Sequence, residues 1–191
     1  MASISKDVGG TTTSSWSRRG KGLLSGASWN QASTSGRRLL TVRGKRYRLV
    51  VQPDHKFFGA TEVDAYGSEV MMARPEKTVV DALDRPEYAG DVPEIAAMLQ
   101  RGQRQLDWSR LAEYALRFRS QALVQRLGYL VDVLDVAVET GVRDRLLAGV
   151  GKGTSYLGRT SKWDTGGDYD ARWRVVDNVP RRELLAEIEV W

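Results

Sequence analysis

The stretch Ala73–Asp91, ARPEKTVVDALDRPEYAGD, sets five carboxylates and three basic residues in nineteen positions around a short apolar run. Carboxylates that converge from different elements beside a lysine can hold divalent cations and run a nuclease reaction. Glu76, Asp81, Asp84 and Glu87 are the residues such a site would use. Each also has a local task. Pro75 suits a first helical turn, where its missing N–H is no loss, and Glu76 complements the positive end of the helix dipole. Lys77 with Asp81, and Asp81 with Arg85, are spaced i,i+4 and can pair on an exposed side. Asp84 and Glu87 flank the helix end, and Pro86 cannot extend the helix. The spacing therefore predicts a capped helix that buries Val79, Val80, Ala82 and Leu83. Pro75, Glu76, Lys77, Asp81, Asp84, Arg85 and Pro86 form its structural motif, with no catalytic residue. On this reading Asp81→Ala costs about 1 kcal/mol through lost helix-side pairing.

Other chemistry is limited by the residue types present. The chain has no cysteine and one histidine, His55. Disulfides, thiolate zinc sites, cysteine nucleophiles and multi-histidine metal centres are thereby excluded. No cofactor or metal is expected, and His55 is read as structural or solvent-facing. The string GVGKGTS, residues 149–155, contains a Gly-Lys pair, but a phosphate loop needs a glycine where Leu146 stands, a strand before and a helix after. Trp163, Trp173 and Trp191 could line a pocket, although buried tryptophans more often belong to a core.

The elements around these residues can be read from periodicity and charge. Net charge is +5, but residues 1–48 carry ten Lys and Arg against one acid, Asp7, which leaves −4 for the remainder. Residues 1–36, dominated by Gly, Ser, Thr and Arg, hold no sustained period, and such a composition predicts a disordered basic arm. Arg18, Arg19, Lys21, Arg37, Arg38, Arg43, Lys45, Arg46 and Arg48, interleaved with Trp16 and Trp29, are the candidate nucleic-acid contacts. The rest, residues 37–191, forms the second segment. Turn signals at RGK and YGS predict two hairpins, with Arg46 and Arg48 on one strand face and Tyr47 and Leu49 on the other. Asp91 and Asp107 read as helix N-caps. Leu111, Ala115 and Phe118, then Leu123, Leu127, Leu130 and Leu134, form amphipathic stripes. A short helix follows at 142–147, then a returning strand at 173–176 and a last helix opening at Pro180. The fold class is α+β: small N-terminal antiparallel hairpins, a helical array, a returning strand and a C-terminal helix. No apolar run reaches the length of a membrane span and no signal peptide is evident, so a cytoplasmic protein is expected.

The segments ARPEKTVVDALDRPEYAGDVPEIAAML, LDWSRLAEYALRFRSQALVQRLGYLVDVL and DYDARWRVVDNVP, preceded by FFGATEV, together resemble the C-terminal region of AbiEi-type antitoxins. These are the regulator half of bacterial type IV, abortive-infection toxin-antitoxin systems. The resemblance runs from about Thr41 to Val179, with Arg74 where the family pattern has an acid. It implies a non-enzymatic antitoxin in phage defence that counters a partner nucleotidyltransferase toxin, with no membrane role. In the family a winged helix-turn-helix precedes this region and represses the operon. No such pattern precedes Arg37, so autorepression is not expected. Residues 1–36 resemble out-of-frame translation of a high-GC gene, and are read as frameshift-derived or as a misassigned start. The alternative reading is a basic-armed DNA-binding transcriptional regulator.

Overall fold

Glycine at the YGS turn and β-branched residues on either side of it give a hairpin, and the same logic applies at RGK. In the computed structural model, which describes residues 2–6, 13–16, 28–30, 38–42, 45–65 and 67–189, both hairpins are present. The strands are β1 (Ala2–Lys6), β2 (Thr13–Trp16), β3 (Ser28–Asn30), β4 (Arg38–Val42), β5 (Lys45–Val51), β6 (Ala60–Ala65) and β7 (Ser68–Ala73). β4 and β5 pair with Thr41 opposite Arg46, and β6 and β7 with Val63 opposite Val70. Gly67 supplies the left-handed conformation of the second turn (φ +77°), and its N–H donates to Asp64 Oδ1 at 2.8 Å.

Within residues 1–36 the described residues are those of β1, β2 and β3. β1, β2 and β3 belong to an antiparallel sheet of order β2-β1-β5-β4-β3. The stretches between them lie outside the described residues. β1 pairs with β5 and β3 with β4, while β2 pairs with β1. The chain divides into two compact units, 1–78 and 79–191, and the division falls inside the first helix.

That helix, α1 (Pro75–Asp84), is followed by α2 (Val92–Gly102), α3 (Trp108–Arg117), α4 (Gln121–Val133) and α5 (Val142–Ala148). The short strands β8 (Ser155–Tyr156), β9 (Asp168–Asp170) and β10 (Val175–Asp177) and the helix α6 (Arg181–Glu189) complete the chain. The α+β class is as expected. α1 stops at Asp84 because Pro86 opens a 3-10 turn, and Asp107 caps α3 by accepting from Arg110 N at 2.8 Å. The predicted stripes are core: Leu111, Ala115, Phe118, Leu123, Leu127 and Leu130 are all fully buried, with Leu134 nearly so. α2 packs on α6, and α4 packs on α3, α5, β8 and β10. The returning strand starts at Val175 rather than Trp173, because Arg174 adopts φ +55°, a left-handed conformation that no strand accommodates. β10 pairs parallel with β8 and antiparallel with β9. No helix among the described residues is long and apolar enough to cross a membrane.

Trp173 sits at the junction of α4 with this sheet. It is fully buried, and a Cβ on Gly128 of α4 would lie 2.1 Å from its ring. Gly128→Ala is therefore expected to destabilise by about 2–3 kcal/mol through overpacking, read as a lower urea midpoint with unchanged m-value. Nearby, Tyr129 donates to Asp177 Oδ2 at 2.5 Å. Burial first, and then this carboxylate, push the phenol well above its ordinary pKa.

Candidate functional site

The motif helix α1 differs from expectation on its polar side. Glu76, Lys77 and Asp81 are 3%, 1% and 7% exposed, so the residues expected to pair at the surface are inside. Lys77 Nζ lies 5.3 Å from the centre of the Phe58 ring, a cation–π contact. Arg85 is exposed and pairs with its neighbour Asp84 at 3.7 Å. Pro75 and Glu87 are exposed, while Pro86 is buried. A buried carboxylate with a partner costs more to remove than a surface one. Asp81→Ala is accordingly expected to cost about 2–3 kcal/mol, above the figure its spacing suggested. Thermal or urea unfolding of the variant measures the difference.

Beyond α1 the chain builds a second polar node around Asp91. This residue is 2% exposed and holds φ +78°, and its Oδ1 accepts from Val92 N at 3.0 Å at the start of α2. Its Oδ2 receives Arg159 Nη2 at 3.0 Å and Lys162 Nζ at 3.5 Å. The segment that carries those cations is pinned by the buried Asn178. Its Oδ1 accepts from Gly158 N at 2.8 Å, and its Nδ2 donates to Asp164 O at 2.7 Å.

Arg126 of α4 faces the same segment. Its Nε donates to Tyr156 O at 2.8 Å and its Nη1 to Leu83 O at 3.4 Å. Burial lowers its pKa from the ordinary arginine value, and the charges of Asp84, Asp91 and Glu87 oppose that shift. Between Arg126 and Arg159 lies an open cleft of about 340 Å³, whose wall includes Ser155, Tyr156, Thr160 and Ser161. Two guanidiniums and several hydroxyls make it a place for an anion.

Compared with family models, with curated proteins and with solved structures, the chain matches none. The four carboxylates considered for a nuclease do not form a metal cluster: among the described residues no group of three or more His, Asp or Glu could hold an ion. GVGKGTS runs from helix α5 into strand β8, the reverse of the phosphate-loop order. Gln121 and Gln125 hold it by donating to Gly153 O at 2.9 and 2.7 Å. His55 is exposed in a 3-10 turn. Trp173 is core, Trp163 is half-buried with Lys162 Nζ 4.7 Å from its ring, and Trp191 lies outside the described residues.

Of the basic candidates, Arg18, Arg19, Lys21, Arg37 and Arg43 lie outside the described residues. Arg38 belongs to β4, and Lys45, Arg46 and Arg48 to β5. The register puts Arg46 and Arg48 on alternate positions from Lys45, Tyr47 and Leu49, and Arg38, opposite Leu49, goes with the second set. Arg126 and Arg159 were not legible as a site. Arg126 reads only as a polar position within an apolar stripe, and Arg159 as one residue of a loop.

Proposed function

We propose that this chain is a non-catalytic antitoxin of the type IV, abortive-infection kind, acting against a nucleotidyltransferase toxin. Two things support the reading. The ordered resemblance from Thr41 to Val179 is one. The observation that carries it is the burial of Glu76, Lys77 and Asp81 in α1. The segment that bears the strongest resemblance places Glu76, Lys77 and Asp81 in the framework of the fold, as suits a protein that works through its surface on a partner. The reading expects a nucleotidyltransferase gene beside this one, and the test is growth rescue: co-expression with that enzyme in a host that it alone arrests. Rescue by the full chain is the expected result. Absence of rescue by soluble, folded protein counts against the assignment.

The alternative, a DNA-binding regulator, rests on the basic character of residues 1–48. It predicts salt-dependent DNA retention that disappears when residues 1–36 are deleted, together with no rescue.

A further inference from the structure

The cleft between α4 and the 155–161 segment has more hydrogen-bond donors than the protein itself uses. Arg126 engages Nε and Nη1, and its Nη2 bonds to nothing among the described residues. Arg159 engages only Nη2, on Asp91, and its Nε is buried without a hydrogen-bond partner. The chain turns at Arg159, whose carbonyl accepts the N–H groups of Lys162 and Trp163 at 3.0 and 2.9 Å. That turn leaves the N–H groups and hydroxyls of Thr160 and Ser161 without partners among the described residues. Ser155 is different, since its hydroxyl donates to Gln125 Oε1 at 2.5 Å.

The charges around the cleft decide the sign of the ligand. Asp91 is answered by both Arg159 and Lys162, and Asp84 by Arg85, while Glu87 is exposed. Arg126 is held by two carbonyls and by no carboxylate, so the balance at the cleft is positive. Guanidinium forks match phosphate oxygens in pairs, and N–H groups presented by a turn add donors that carry no desolvation cost of a charge. A volume of about 340 Å³ is at the small end for ligand sites, enough for a phosphorylated small molecule.

We propose that this cleft binds the phosphoryl group of a small molecule, held by Arg126, Arg159 and the Thr160–Ser161 turn. The ligand does not depend on whether the chain is an antitoxin.

The test is the melting temperature of the full chain with inorganic phosphate and, separately, with adenosine 5′-monophosphate, against chloride at equal ionic strength. At a hundredfold excess over Kd, saturation is expected to raise it by at least about 5 °C. Ser161→Asp and Thr160→Asp place a carboxylate at exposed positions of the wall, so the fold should persist, and each is expected to weaken binding at least about tenfold. If one variant fails to fold, the other and the amide resonances of Thr160 and Ser161 in the unaltered chain carry the test. Nucleotide binding about tenfold tighter than phosphate would mean that the sugar and base are also held, and equal binding would identify free phosphate. Either outcome supports the site. No rise with either anion, or a rise that both variants retain in full, overturns it.

Discussion

Trp173→Ala is expected to lower stability by about 3–5 kcal/mol, the range for deleting a fully buried tryptophan. The ring fills space that Gly128 leaves open on α4, so its removal opens a cavity between helix and sheet that neither wall can close alone. The indole Nε1 also donates to Asp132 Oδ2 at 2.7 Å. The same carboxylate receives Arg143 Nε at 2.8 Å and Arg172 Nη1 at 3.0 Å. Trp173→Phe keeps much of the volume but loses the donor and part of the ring, so its cost should be smaller, about 1–2 kcal/mol. Urea unfolding of both variants measures the two contributions. A Trp173→Ala cost below about 1 kcal/mol would show that the junction collapses without it and does not depend on this ring.

The next largest effect is expected at Asp91, where alanine should cost about 3 kcal/mol. Breaking a buried ion pair costs more than that when both partners are inside. Here Arg159 and Lys162 are 35% and 46% exposed, and water screens their charges once the carboxylate is gone. The carboxylate performs three tasks together: capping α2, binding two cations, and occupying φ +78°, where alanine is strained. Three substitutions separate them. Asn keeps the cap and tolerates the backbone angle, Gly relieves the angle alone, and Ala does neither. The expected order of loss is Asn, then Gly, then Ala. An Asn variant as unstable as the Ala variant would assign the whole effect to charge.

Those two residues show how far local reading goes. Asp91 was legible as an N-cap because a cap depends on a side chain and an N–H one residue away. Its pairing with Arg159, 68 positions later, was not. Trp173 was legible as core, but its partner was not, since nothing in the α4 stripe marks Gly128 as the place where an indole must sit. The leucine stripe of α4 and the ends of α1 followed from period and proline chemistry, which act within a turn or two of helix.

The polar side of α1 shows the limit most clearly. Spacing places Lys77 and Asp81 one turn apart on a face opposite the apolar one, and a helix alone in water would expose that face. Only packing from the rest of the chain decides that it is buried. Strand pairing is of the same kind, because the register of β1 on β5 and of β3 on β4 joins segments that no local pattern links. The sequence by itself determined the α+β class, the hairpin turns, the helix caps and the core stripes, all products of short-range sterics and periodic burial. The tertiary structure alone decided which charges go inside and that Arg126 and Arg159 face one cleft. Such contacts join residues far apart in the chain, and their free energy exists only once the elements have packed.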